Sequence, residues 1–180
     1  MGVNSPVLPV LFLIGAFGIF MIWSWPIGAG WEPTARKKVK RMLEMGGAGT
    51  SDVVYDLGSG DGRIIVEAAK TYHAKAVGVE ADPVRVLYSR LAVAAMKLKG
   101  QVNVKWGSFY RTDLSEATIV TVFLTQGTNQ RLKKKFLSEL RPGTKVISYV
   151  WTFDDWTPVV RDERNELSMY VIPERSGPPG

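Results

Sequence analysis

The chain has 180 residues, 46% hydrophobic and 22% charged, with 23 lysines and arginines against 17 acids and a formal net charge of +6. It has no cysteine, which excludes disulfides, thiolate nucleophiles and cysteine-based zinc sites, and its single histidine, His73, falls at the end of an expected helix, which argues against histidine-dependent triads and histidine-rich metal sites. A chain of this length suits one domain with a real core plus an appendage.

The appendage comes first. No charged side chain occurs in residues 1–31, and residues 7–25 ("VLPVLFLIGAFGIFMIWSW") are apolar almost throughout. As a helix rising about 1.5 Å per residue, that stretch would span roughly 28 Å, close to one bilayer core. The competing readings are a buried core helix and a cleaved signal peptide. The second lacks its basic start, because "MGVNSP" has none, although Gly28, Ala29 and Gly30 could imitate a cleavage site. Trp23, Trp25 and Trp31 suit the headgroup level. Residues 1–30 are therefore expected to be a single-pass transmembrane anchor. Next stand Arg36, Lys37, Lys38, Lys40 and Arg41; without these five the net charge would be +1. They read as a solvated helix face, as a cytoplasmic retention signal attracted to anionic headgroups, or as both. The net charge is thus poor evidence for nucleic-acid binding.

The remainder alternates. Pro33-Thr34 marks a helix start, with Val39, Met42 and Leu43 as its apolar stripe, and "GGAGTS" breaks the chain. "DVVYDL" predicts a buried strand, "RIIVEAAKTY" a helix, and "AKAVGVE" a strand. A longer helix over 83–99 would bury Val84, Leu87, Leu91, Ala95 and Leu98. "VNVKWGSF" and "ATIVTVFLT" predict two more strands, the latter apolar enough for the middle of a sheet. A helix over 129–140 would bury Leu132, Phe136 and Leu140 and turn Arg131, Lys133, Lys134 and Lys135 mostly outward. "TKVISYVW" predicts a fifth strand, and "VVRDERNELSMYVI" two strands around a polar turn. The pattern implies an α/β fold with a mostly parallel sheet closed by an antiparallel hairpin. Residues 31–175 would form this domain, and 176–180 a flexible tail.

Chemistry concentrates in "YDLGSGDGR", residues 55–63. Gly58, Gly60 and Gly62 allow a sharp turn and close approach of a ligand to the backbone. A triphosphate loop would need Gly-Lys-Ser/Thr, and Gly62 is followed by Arg63-Ile64; a dinucleotide fingerprint would put its last glycine at Arg63. Asp56 would repel a pyrophosphate but attract an ammonium group. Glu80, at the second strand's end, can accept both hydroxyls of a ribose. A ligand with an ammonium, a carboxylate and a ribose satisfies this pattern, and S-adenosylmethionine has those parts. The helix start at about Arg63 could receive the carboxylate.

Asp56-Leu57-Gly58-Ser59-Gly60-Asp61-Gly62 resembles the first motif of the seven-strand, class I S-adenosylmethionine methyltransferases, and the hairpin resembles their sixth and seventh strands. Trp31-Glu32-Pro33-Thr34, Phe123-Leu124-Thr125 with Asn129, and Trp156-Thr157-Pro158 are similar to motifs of the small protein-lysine methyltransferases, including the membrane-tethered enzymes acting on the ATP synthase c-subunit. Tryptophan replaces a tyrosine in the first of these, and Glu80-Ala81-Asp82-Pro83 lacks the family's frequent asparagine. The resemblance implies a Rossmann-like methyltransferase sheet and S-adenosylmethionine as cofactor, held by Thr34, Asp56, Gly58, Ser59, Gly60, Asp61 and Glu80. Position alone adds Gly107, Ser108 and Phe109, after the third strand, beside the adenine. Thr34, Thr125, Gln126 and the stretch from Phe153 to Trp156 would form the substrate rim. Trp31, Phe153 and Trp156 could hold an alkylammonium, and Asp154 or Asp155 could attract it, against a reading of these aromatics as ordinary packing. The implied substrate is lysine in membrane proteins. The alternatives are a lipid or small-molecule methyltransferase and a non-catalytic binding module. "FLTQ" stands where a nucleobase amino-methyltransferase would carry Asp/Asn-Pro-Pro-Tyr/Phe, which argues against nucleic acid.

Overall fold

The structure, a computed structural model, describes residues 7–12, 15 and 33–174. The chain divides into two units, residues 1–32 and 33–180. In the first, residues 7–12 are helical. Among the described residues no helix is long and apolar enough to cross a membrane. Most of the expected anchor, Trp31 and the tail at 176–180 lie outside the described residues.

The second unit is a seven-stranded sheet with helices on its faces. Its elements are α1 (Arg36–Gly46), β1 (Val53–Leu57), α2 (Arg63–Tyr72), β2 (Lys75–Glu80), α3 (Pro83–Ala95), β3 (Val102–Trp106), β4 (Ile119–Val122), α4 (Gln126–Glu139), β5 (Lys145–Tyr149), β6 (Val160–Asp162) and β7 (Leu167–Val171). The strand order is β3-β2-β1-β4-β5-β7-β6. The first five strands are parallel, and β7 runs antiparallel to both β5 and β6. The expected sheet and closing hairpin are therefore both present. β4 is only four residues long and every one is buried, as a strand between β1 and β5 should be. The order reverses between β1 and β4, which puts the loops after these strands beside a crevice at their carboxyl ends.

The predicted stripes of α1 and α4 hold: Val39, Met42 and Leu43 are buried, and so are Leu132, Phe136 and Leu140. α4 begins three residues earlier than its stripe suggests, because Thr125 caps it, accepting the Thr128 N–H. The basic run of α1 serves the domain itself in part. Lys38 donates to Glu166 Oε2 and to the Tyr149 hydroxyl, and Arg41 Nε to Asp162 Oδ2 at 2.7 Å, tying α1 to the hairpin.

α3 corrects the sequence reading. It ends at Ala95, and its buried residues are Val86, Ser89 and Val93. Val84, Leu87 and Leu91 are exposed instead. Both sets recur at helical spacing, so periodicity alone could not choose between them. The sheet is met by the smaller residues, and Arg90 fixes the rotation by donating from Nε and Nη2 to the Val104 carbonyl in β3.

Candidate active site

The glycine loop leaves β1 at Leu57 and enters α2 at Arg63. Gly58, Gly60 and Gly62 have φ of 82°, 53° and 81°, the left-handed region that side chains penalise. The loop's N–H groups are used inside the fold: Gly58 and Ser59 donate to the Val79 carbonyl at 2.9 and 3.1 Å, and Gly62 donates to the Ser59 carbonyl at 2.8 Å. Gly60 donates to Glu80 Oε2 at 2.8 Å, and its carbonyl accepts from Ser89 Oγ at 2.9 Å. A Cβ at Gly62 would sit 2.8 Å from Ser89 Oγ, and one at Gly58 3.1 Å from a Leu124 methyl, so the loops after β1 and β4 touch. At Gly60 such a Cβ would meet nothing nearer than 4.0 Å. That is the point where a ligand can reach the backbone.

Three carboxylates surround this loop. Glu80 is buried and accepts from Gly60 through Oε2 and from the Asp82 N–H through Oε1 at 2.9 Å. Each oxygen keeps a lone pair for a ligand hydroxyl. Asp56 is buried beneath the loop, and Thr121 Oγ1 donates to its Oδ1 at 2.8 Å. Burial pushes the Asp56 carboxyl up to about 7; the Thr121 hydrogen bond opposes the shift, and the negative charges of Glu80 and Asp61 add to it. Asp61 is held below the ordinary value. Burial works against that shift, but the two-point Arg63 ion pair, with Nε to Oδ1 at 2.9 Å and Nη2 to Oδ2 at 2.5 Å, outweighs it together with the Arg63 N–H. Arg63 Nη1 also donates to the Thr34 carbonyl at 2.6 Å, binding the chain before α1 to the glycine loop.

Each expected cofactor residue can now be located. Asp56, Gly58, Gly60, Asp61 and Glu80 form one cluster. Thr34 is buried and joins it through its carbonyl. The Ser59 hydroxyl is buried without a hydrogen-bond partner and packs toward Gly78 of β2, so what Ser59 offers a ligand is backbone. Gly107 donates its N–H to the Glu80 carbonyl at 2.9 Å, which brings Ser108 and the buried Phe109 alongside Glu80. The Arg63 N–H, expected to receive a ligand carboxylate, is taken by Asp61 Oδ1 at 3.2 Å. Sequence reasoning missed Thr121, Ser89 and the role of the Arg63 side chain. Thr121 is the polar residue of β4, and Ser89 lies between Val86 and Val93 at helical spacing, so both left a signal.

The expected substrate rim divides in two. Thr125 is exposed, its Oγ1 2.9 Å from Thr128 Oγ1, and Gln126 Nε2 donates to Asp154 Oδ1 at 2.8 Å. Phe153 is a packing residue: its ring is 4% exposed and lies edge-on to Phe136 and Tyr170, at 6.0 and 4.9 Å between centroids. Trp156 covers this cluster, half-buried, 5.3 Å from Phe153 and 4.9 Å from Tyr170. The turn leading there is strained. Val150 has φ of 66°, a conformation a β-branched residue rarely takes, closed by Trp151 N–H donating to the Tyr149 carbonyl at 2.8 Å. Asn129 Nδ2 and Ser148 Oγ both donate to the Trp151 carbonyl and hold the turn.

An ammonium near Asp56, a ribose near Glu80 and an adenine near Phe109 fit this donor set, and a polyphosphate would be repelled by it. With the sheet order and closing hairpin, the site defines a class I methyltransferase that uses S-adenosylmethionine. Residues 56–160 match the ANTKMT methyltransferase domain. The chain belongs to that family. It is 41% identical over 149 residues to a protein-lysine N-methyltransferase of Saccharolobus islandicus, covering 79% of this chain and 92% of that one. It is 32% identical over 126 residues to the ATP synthase c-subunit lysine N-methyltransferase of Xenopus laevis, covering 70% of this chain and 55% of that one. The chain thus spans about half the length of that Xenopus laevis enzyme. A solved structure described as an RNA methyltransferase from Salinibacter ruber, in complex with S-adenosyl-L-homocysteine, is 37% identical; it aligns over 82% of this chain and 98% of its own with a TM-score of 0.77. Among the described residues no group of side chains could hold a metal ion.

Proposed function

We propose that the enzyme methylates lysine side chains of proteins at or near a membrane, and that it is a single-pass membrane protein with its catalytic unit on the cytoplasmic side. The observation that carries the substrate class is the 41% identity with a protein-lysine N-methyltransferase over 92% of that protein's length. The membrane half rests on residues 1–31, which carry no charged side chain, and on the exposed apolar side chains of Val7, Leu8, Val10, Leu11 and Phe12.

The cofactor supplies a methyl group on a sulfonium. Asp56, Glu80 and the Gly60 backbone bind and orient it, and the Arg63–Asp61 pair fixes the loop. An acceptor lysine must arrive neutral; burial against Trp156 and the Thr125 end of α4 lowers an ammonium pKa, so the proton can leave to water without a dedicated base. Exposed Asp154 and Asp155 would attract the lysine while it is still charged.

The test is incubation of the purified chain with membrane and soluble extracts and S-adenosylmethionine carrying a labelled methyl group, with Asp56→Ala as control. Label in protein, mapped to lysine by mass spectrometry and absent in the control, supports the reading; enrichment in the membrane fraction supports its membrane half. The Salinibacter ruber structure favours one second reading, RNA as acceptor. Label recovered in nucleic acid would establish that reading and overturn the first, and label in lipid would overturn both.

A further inference from the structure

α3 is apolar on both sides. Toward the sheet it buries Val86 and Val93; away from it, Val84, Leu87, Tyr88 and Leu91 form a continuous outward arc, each between 54% and 61% exposed. Met96, just past the helix end, is 49% exposed. A contiguous apolar arc on an exposed helix face marks an interaction surface. Beside it lies β3, the edge strand of the sheet, with Trp106 66% exposed and Tyr110 40% exposed after it.

The charge of this surface is one-sided. Between Asp82 and Asp113 the chain carries Arg85, Arg90, Lys97, Lys99, Lys105 and Arg111 and no acidic side chain. Lys97, Lys99 and Arg111 are exposed. Aliphatic residues flanked by aromatic rings and lysines or arginines are the composition of a helix lying in a bilayer interface. A two-fold contact with a second copy would set this basic segment against itself. RNA would match the charge but not the aliphatic side chains of Val84, Leu87 and Leu91.

The face also lies at the rim of the site. α3 starts three residues after Glu80, and its Tyr88 lines a cleft of about 190 Å³ with Asp61, Arg63 and Arg36. Arg63 in turn holds the Thr34 carbonyl, where the chain enters the catalytic unit. We infer that the outward face of α3, with Trp106 and Tyr110, rests on an anionic lipid surface and sets the crevice beside the membrane. This deepens the membrane reading proposed above by adding a second contact, independent of residues 1–30.

The absence of cysteine permits a direct test in the full chain. Leu87→Cys, Leu91→Cys and, on α4, Lys134→Cys are each labelled with an environment-sensitive fluorophore, and S-adenosylhomocysteine binding verifies that each variant is folded. They are then mixed with vesicles of neutral phospholipid, or of neutral and anionic phospholipid together, with or without a lipid-borne quencher. Expected are a blue shift and quenching at positions 87 and 91 that require anionic lipid, and no change at 134. Co-sedimentation with neutral vesicles reports the anchor separately. Bound protein whose labels at 87 and 91 stay aqueous would overturn this inference and leave the anchor standing. A lipid response at 87 and 91 without binding to neutral vesicles would support the inference while removing the anchor. A blue shift before vesicles are added would mean that protein covers the face, and a response to RNA but not to vesicles would mean a nucleic-acid surface; either result overturns it.

Discussion

The two loop clusters at the carboxyl ends of the strands are stiffened by different means. After β1 the backbone is held by neighbouring strands, by Ser89 and by Glu80, and its carboxylates keep acceptor capacity for a ligand. After β5 the polar side chains are committed to one another. Gln126 and Gln130 donate to Asp154 and to the Thr152 carbonyl, the Asp154 N–H donates back to Gln130, Lys133 donates to the Asp154 carbonyl, and an aromatic cluster lies underneath. The first region is built around a ligand of fixed chemistry. The second is a rigid shelf in which the half-buried Trp156 lies over the aromatic cluster.

The largest expected effect separates packing from rim. Phe153→Ala should cost about 3 to 5 kcal/mol of stability, the usual range for emptying a buried phenylalanine site, read as the urea midpoint. A variant of unchanged stability with a raised KM for protein substrate would instead put Phe153 on the rim. Next, Glu80→Ala removes an acceptor for two loop N–H groups together with the proposed ribose partner. At roughly 1.5 to 3 kcal/mol for a charged hydrogen bond, it should weaken S-adenosylhomocysteine binding on the order of a hundredfold by calorimetry, with the urea midpoint changing less than in Phe153→Ala. The reverse ranking would break the contrast between the regions.

Gly62→Ala tests the loop backbone itself. A methyl group there meets Ser89 Oγ at 2.8 Å in a left-handed conformation, a strain of about 1 to 3 kcal/mol. Gly62→Ala combined with Ser89→Ala should recover part of the cofactor affinity, because the Oγ contact goes while the contact with the Cβ of residue 89, at 3.2 Å, and the strained φ stay. Full recovery would show that φ at Gly62 costs nothing.

The same contrast explains what could be read in advance. The glycine loop announces itself because each of its parts is a backbone requirement with a residue signature: glycine at positive φ, an acid at a strand end, an acid below the turn. The strands and the closing hairpin follow from period and length, whereas the order of the strands does not. The α3 rotation could not be read, because two apolar stripes compete on one helix and Arg90 decides between them through a carbonyl distant in sequence. Phe153 and Trp156 were ambiguous for a related reason. An aromatic residue after a strand reads the same whether it packs or binds, and only contact with Phe136 and Tyr170 separates the two.

The smallest effect is the pH dependence of the cofactor cluster. In the free protein the Asp56 carboxyl titrates at about 7 instead of 3.8. Between those values the folded state holds a proton that the unfolded state has lost, so this group makes the free protein less stable as pH rises through that window and contributes no further change above about 7. Asp61, shifted downward, contributes stability present above its ordinary value and lost as pH falls below it. A bound ammonium reverses the Asp56 preference, because it favours the carboxylate. Cofactor binding below pH 7 should therefore release a proton, and affinity should rise by up to about tenfold per pH unit toward pH 7 and then level off. Calorimetry at pH 6.5 in two buffers of different ionisation enthalpy measures that proton directly, and Asp56→Asn should abolish both the release and the slope. Proton release that survives in Asp56→Asn would move the titration to another group and remove Asp56 as the ammonium partner.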